Sequence, residues 1–548
     1  MSLLLLLACA SDDKLPADDT AASGDTADSG DTGADTDAID PRFAALAAAI
    51  EADLLASLAT GASVAVYQDG AIVFARGFGS GDPDGDQPIA TTTLFQIGST
   101  TKMYTATLLL QKVEDGTLSL DDTLADAVPA LEFALDDSWN DAIHLRHLLS
   151  HTGGLYDYVP WDGDSDDAAL ADFTYGDYAA NLFAMNAPGQ FWNYSNPNFT
   201  LAGLATEVAD TRMWPDILVE DLLRPLGMDR STARKADVLA DGDYALGYGY
   251  TNLTTGAMGT VSMRNVPDPA WVRPAGMIWS TPTEMIEMAK FLMDGDPAVL
   301  SDTLRAGITA EQVPLGYLPE VQHYGYGMFV DRGFSLGADW YDVPIWNHGG
   351  NTLSFTSTFY VVPDQDFAIA ILSNGFGDNF NGSVAAAFAS LLTLPAPSAS
   401  PPAYTFDPAG LDAHVGAYLD AYNVGDVTVT REGDVLYVDM PVLDEYGYTY
   451  ERALEPIGTD LWILTLDGTP LDLTFLDASD GTDSVYIRNR SFVVTRVGES
   501  EPAALAATPP PSSPSPSSPR PTREAVAAWV AKAKLDAVMD GSRALRGQ

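Results

Sequence analysis

The chain has 548 residues, of which 46% are hydrophobic and 10% aromatic, enough for a large core together with one or two smaller modules. Its 77 acidic against 27 basic residues give a formal net charge of -50, which repels nucleic-acid phosphates and anionic lipid headgroups and excludes a nucleic-acid role. With Cys9 as the single cysteine, neither an intrachain disulfide nor a cysteine-based metal site is available.

Residues 3–7 are all leucine, and Leu6-Leu7-Ala8-Cys9 resembles the lipobox of bacterial lipoproteins, in which the cysteine is lipidated and begins the mature chain. Residues 1–9 read as a lipoprotein-type export signal, too short for a membrane span. The expected location is the bacterial cell envelope, periplasmic or outer-surface, with a diacylated Cys9 as the lipid anchor. No Lys or Arg precedes the leucines, which departs from the usual signal and points to a start further upstream. Residues 10–41 hold mostly Asp, Thr, Ala, Gly and Ser, a composition that cannot offset the entropy of folding and predicts an acidic disordered tether.

A helix is expected from residue 42 to about 58. Residues 63–68 and 71–75 then flank Asp69-Gly70, a strong hairpin signal. Residues 99–271 read as mainly helical with long loops; strand-like runs return at 326–330, 355–362 and 367–372, before a last helix near 383–392. A sheet built from both ends of this segment, with a helical insertion between, accounts for the order. Residues 395–403, crowded with Pro and Ala, form a linker. Short alternating runs such as 427–430 and 435–438 make 404–498 a small all-β domain. Residues 499–523 are a Pro/Ser-rich linker and 524–548 a short C-terminal helix or tail. A helix over 524–539 would carry Val526, Trp529, Val530 and Val538 and could dock on a partner or membrane surface, but a weakly ordered tail is the preferred expectation.

The sharpest chemical signal is Phe95-Gln96-Ile97-Gly98-Ser99-Thr100-Thr101-Lys102-Met103, a Ser-x-x-Lys opening an apolar helix. Three residues apart, Ser99 and Lys102 share a helical face, and the helix N-terminus favours a negative oxygen developing beside Ser99. A buried Lys102 could act as a base. The Tyr-x-Asn of Trp192-Asn193-Tyr194-Ser195-Asn196 offers a tyrosine for proton transfer and an amide for a substrate amide. In Trp346-Asn347-His348-Gly349-Gly350-Asn351 the two glycines are expected to let substrate backbone lie along a strand edge.

These three pieces, in this order and approximate spacing, resemble the serine β-lactamase and D-alanyl-D-alanine carboxypeptidase superfamily, which includes class C β-lactamases and related esterases, over about residues 42–394. Framing sequences add to the likeness: Leu145 through Leu155 with its Ser150-His151-Thr152-Gly153-Gly154 core, Leu223-Arg224-Pro225-Leu226-Gly227-Met228, and Pro274-Ala275-Gly276-Met277. The resemblance implies an α+β fold, an α/β sandwich whose antiparallel sheet is flanked by helices and carries a large helical insertion, followed by the small all-β domain. It makes Ser99 the acylated nucleophile, Lys102 and Tyr194 the proton-handling pair, and Asn196 a substrate-amide contact. The N–H groups of Ser99 and Asn351 form the implied oxyanion hole. His348-Gly349-Gly350 stands where many members have Lys-Thr-Gly. A histidine is mostly neutral at pH 7, so His348 is expected to meet a substrate carboxylate only when protonated.

Two other patterns compete. Gly333-Phe334-Ser335-Leu336-Gly337 matches a Gly-x-Ser-x-Gly elbow, but residues 338–344 cannot start a helix cleanly, and a hairpin is expected. His144, His147 and His151 could suggest a metal, yet no carboxylate completes the set, and hydrogen-bonding roles are preferred. The expected activity is therefore that of a serine hydrolase working through an acyl-enzyme on an ester or amide carbonyl, of esterase or D-amino-acid peptidase type, with no metal or organic cofactor. The alternatives are a catalytically idle peptidoglycan- or ligand-binding protein, a true class C-like β-lactamase, or a chain whose all-β domain does the binding. On the hydrolase reading, deleting that domain should leave hydrolysis of small esters largely intact.

Overall fold

The computed structural model describes residues 39–135, 137–253, 255–316, 320–378, 380–399, 406–420, 422–458, 460–477, 484–498 and 521–539. Cys9, the export signal, nearly all of the tether and most of the Pro/Ser-rich linker lie outside the described residues.

Helix α1 (Ala44–Ala56) leads into the hairpin of β1 (Gly61–Gln68) and β2 (Ala71–Gly79). Asp69 and Gly70, at φ 51° and 86°, supply the two left-handed residues that a tight two-residue hairpin needs. The insertion carries α2 (Lys102–Glu114), α3 (Asn196–Asp210) and α4 (Pro282–Asp294). The chain returns to the sheet with β3 (Val313–Pro314), β4 (Gln322–Tyr324), β5 (Phe329–Asp331), β6 (Ile345–Asn351), β7 (Thr356–Val362) and β8 (Phe367–Ser373), then ends this domain on α5 (Asn381–Leu391). The strand order is β2-β1-β8-β7-β6-β5-β4-β3, with every neighbouring pair antiparallel.

Alternation along the central strands sorts side chains between two cores. Val64, Val66, Ile369 and Ile371 pack with Leu46 and Ile50 of α1 and Val384 and Phe388 of α5. Their neighbours Ala65, Tyr67, Ala370 and Leu372 join the larger core that holds Leu108 and Leu109 of α2 and Met285 and Ile286 of α4. Burial on both faces explains why β1 and β8 read as continuous apolar runs.

The C-terminal module is one eight-stranded antiparallel half-barrel, β9 (Gly416–Asp420), β10 (Gly425–Glu432), β11 (Val435–Asp439), β12 (Glu455–Pro456), β13 (Leu461–Leu466), β14 (Thr469–Asp477), β15 (Ser484–Asn489) and β16 (Phe492–Arg496). Its order is β11-β10-β9-β16-β15-β14-β13-β12. Here the structure departs from the preferred expectation of a weakly ordered tail. Helix α6 (Arg523–Met539) places Val526, Trp529, Val530 and Ala533 in the module's core, with Trp529 edge-on to Phe492 at 5.4 Å. The 526, 529, 530, 533 spacing makes one apolar face, and the half-barrel supplies the partner that the sequence alone does not reveal.

Candidate active site

Ser99 sits in the short 3-10 turn Gly98–Thr101 that runs directly into α2. That turn is pressed against the end of β6. Gly98 has φ +52°, and a Cβ on it would lie 2.6 Å from the Asn351 nitrogen; a Cβ on Gly350 would lie 1.9 Å from the Ile97 carbonyl oxygen. Ser357 on β7 ties the two together, donating to the Ile97 carbonyl at 2.7 Å while its oxygen meets the Thr100 hydroxyl at 2.7 Å. The expectation that both glycines serve substrate backbone therefore needs correction. Gly350 is demanded by the protein's own chain, whereas Gly349 is exposed and a Cβ there would find only the Ser357 carbonyl, at 3.7 Å.

Lys102, one turn on from Ser99, is fully buried. Its Nζ lies 3.1 Å from Ser99 Oγ, 2.8 Å from Asn196 Oδ1 and 2.7 Å from the Ala275 carbonyl oxygen. Acceptors thus surround the amine and aim it at the serine. Tyr194 completes the group: its ring centroid is 4.8 Å from Lys102 Nζ and 4.5 Å from the Arg490 guanidinium carbon. Both cations are favoured by the ring's negative face.

Asn196 is the first residue of α3, and its orientation is set from behind. Its backbone N–H and its Nδ2 both donate to Asp157 Oδ1, at 2.8 and 3.1 Å, leaving Oδ1 to face Lys102. Asp157 has no exposed side-chain surface. Burial pushes its carboxyl pKa up, but Lys532, Arg490 and the Asn196 N–H outweigh that and hold it well below the usual carboxylate range. His151, at φ +55°, packs against Tyr194 with ring centroids 4.1 Å apart and planes tilted by 36°, and accepts the Ser195 N–H on Nδ1 at 3.2 Å. Burial, then the charge of Lys102, keep its pKa well below the ordinary histidine value, so it acts as a neutral wall.

His348 does not stand as a free carboxylate receptor. The residue is 2% exposed, with Nδ1 2.6 Å from the Gly349 carbonyl oxygen and Nε2 3.1 Å from the Tyr324 hydroxyl. The carbonyl can only accept, so Nδ1 carries the proton and Nε2 accepts from Tyr324. In this state both nitrogens are spent on the protein.

Of the competing patterns, Ser335 is exposed on a hairpin of Phe334–Leu336 and Asp339–Tyr341, opposite Trp340. His144 and His147 lie edge to face at 5.1 Å, with His147 Nδ1 accepting the His144 N–H, while His151 turns away to Tyr194. The sequence reading missed Asp157, Arg490 and Lys532. Among only 27 basic residues, the closely spaced pair Arg488 and Arg490 was the available signal. Nothing local marks Asp157 or Lys532. Arg488 donates to the Trp192 carbonyl at 2.9 Å, and Arg490 and Lys532 reach Asp157 at 2.7 and 3.0 Å. The all-β module and helix α6 thus contribute side chains around the candidate site, so deleting the module is expected to disturb small-ester hydrolysis instead of leaving it largely intact.

The Beta-lactamase family matches residues 47–393, and the chain belongs to it. Penicillin-binding protein 4 of Amycolatopsis lactamdurans is 29% identical over 58% of this chain and 81% of its own length. Protein flp of Staphylococcus aureus is 24% identical over 59% of this chain, which spans 61% of that protein. Among solved structures, SurE with D-Leu superposes with a TM-score of 0.60 at 22% identity, over 83% of this chain and 99% of SurE, so the shared fold includes much of the C-terminal module.

Proposed function

We propose that this member of the β-lactamase family hydrolyses an ester or amide carbonyl through an acyl-enzyme on Ser99, as an esterase or a D-amino-acid peptidase. The observation that carries the reading is the buried Lys102 amine, 3.1 Å from Ser99 Oγ and held on its other sides by Asn196 Oδ1 and the Ala275 carbonyl. As a neutral amine it keeps N–H bonds to those two acceptors and turns its lone pair to the Ser99 hydroxyl. Ser99 Oγ then attacks the carbonyl carbon as its proton passes to Lys102, with Tyr194 sharing the transfer. The tetrahedral oxyanion meets the N–H groups of Ser99 and Asn351. Collapse expels the alcohol or amine with a proton returned from the Lys102–Tyr194 pair. Water, deprotonated by the same pair, releases the acid and restores Ser99.

The engaged ring of His348 favours substrates that place no carboxylate at that position, which weighs against a β-lactamase. D-configured acyl groups are the class to try beside simple esters, given the D-Leu complex of SurE. An idle binding protein is the other reading, and a lysine aimed at the serine argues against it. Turnover of aryl esters and D-aminoacyl amides tests the reading: Ser99→Ala should abolish it, and Ser335→Ala should leave it nearly unchanged. The reverse outcome overturns it. We also propose that Cys9 anchors the exported chain to a membrane. Cys9→Ser should then move the protein to the soluble fraction with catalysis intact, and unchanged membrane association would refute the anchor.

A further inference from the structure

We propose that Lys532, on the C-terminal helix α6, is a positioning residue of the Ser99 site, holding Asp157 so that Asn196 keeps its side-chain oxygen on Lys102; this rests on the serine-hydrolase reading above.

The two oxygens of Asp157 divide the work. Oδ1 accepts both donors of Asn196, and Oδ2 accepts Lys532 Nζ at 3.0 Å and Arg490 Nη2 and Nε at 2.7 and 2.9 Å. A continuous series of contacts therefore runs from Lys532 through Asp157, Asn196 and Lys102 to Ser99 Oγ. The contacts of Asp157, and through them the orientation of the Asn196 amide, depend on its ionised state. A carboxylate accepts only, so Asn196 must turn its NH₂ to Asp157 and its oxygen to Lys102. Were Asp157 protonated at Oδ1, its O–H would attract the amide oxygen, the amide would turn over, and an NH₂ would face the lysine.

The charged and titratable groups around Asp157 come from every packed element. Lys532 and Asp536 belong to α6 and Arg490 to the half-barrel; Lys102, Tyr156, Tyr178, Tyr194 and His151 come from the hydrolase domain. Burial favours the acid form, and Lys532 leads the groups that oppose it. The lysine is itself fixed. Asp536, one turn on, accepts it at 2.5 Å and is steadied by the Ser491 hydroxyl at 3.0 Å, while Trp529 and Val530 seat the helix in the half-barrel core. Unlike Arg490 and its own partner Asp536, Lys532 does not line the cavity above Ser99, so the split between KM and kcat distinguishes a disturbed cavity wall from a disturbed Asp157.

The test uses the full chain with an aryl ester. Lys532→Met should lower kcat by about tenfold or more with KM changed by no more than about twofold. It should also move the acid limb of the kcat profile to higher pH, as Asp157 becomes easier to protonate. Lys532→Arg should restore both, and Lys532→Gln, which keeps length and a donor, should show the same upward shift of the limb if charge is what matters. Hydrogen exchange over 523–539 checks that α6 stays seated; if Met unseats it, the Gln variant decides. Wild-type kcat and acid limb in a seated Met or Gln variant would overturn the proposal. A wild-type protein without turnover or Ser99 labelling would instead sink the hydrolase reading. In that case a crystal structure of Lys532→Gln still decides, because an unmoved Asn196 amide and Lys102 amine would show that Lys532 positions nothing.

Discussion

Gly350 lies so close to Ile97 that a single methyl group on it would stand 1.9 Å from the Ile97 carbonyl oxygen. The last strand residues of the site and the turn that carries Ser99 are thus fitted backbone to backbone, and the position of the serine is set by what Gly350 lacks.

Gly350→Ala should therefore cost about 1–3 kcal/mol of stability, since the neighbour is backbone and cannot swing aside. It should also lower kcat by about a hundredfold by shifting the Ser99 turn. Gly349→Ala has room, its nearest contact being at 3.7 Å, and its melting temperature should match wild type. Denaturant titration and steady-state kinetics on the pair check this; equal stability for both variants would refute the fitted-turn account.

For His348, the account expects the ratio of kcat/KM for a carboxylate-bearing substrate to that for a neutral ester to stay flat from about pH 8 to 6. Both ring nitrogens are engaged with Gly349 and Tyr324, so no new donor appears toward substrate in that range. Taking the ratio cancels titrations common to both reactions. A ratio that rises as pH falls would restore His348 as a protonation-gated receptor.

Glu207 gives a stability test remote from the chemistry. It is buried on α3, where Oε1 accepts the Trp214 N–H at 2.6 Å, and burial pushes its pKa up to about 7. A carboxyl whose folded pKa is raised contributes stability below its ordinary value of 4.5, and loses that contribution as pH rises through about 7. Glu207→Gln keeps an acceptor and removes the charge. It should stabilise the protein by on the order of 2–3 kcal/mol at pH 8 and by little at pH 5. Equal effects at both pH values would show that the group does not titrate there.

How much of this was legible in the sequence depends on range. Ser99 with Lys102, and Tyr194 with Asn196, are each local pairs whose spacing declares a shared face or loop, so the residues that the structure brings together could be named. The hairpin at Asp69-Gly70 was equally plain, because turn chemistry is local. What was hidden depends on distant packing. Lys532 meets Asp157 across 375 residues, and no periodicity encodes such a pairing. Helix α6 showed its apolar face, but the half-barrel core it enters exists only once strands far apart in sequence have paired. The engagement of His348 Nε2 likewise depends on Tyr324, 24 residues away on β4.

The most direct test of the central claim is intact-mass analysis and peptide mapping after a fluorophosphonate probe at about pH 8. The account predicts one adduct, on Ser99, absent from Ser99→Ala and formed about a thousandfold more slowly in Lys102→Ala, because the amine aimed at Oγ is then missing. An adduct on Ser335, or labelling of Ser99 at the wild-type rate without Lys102, would contradict it.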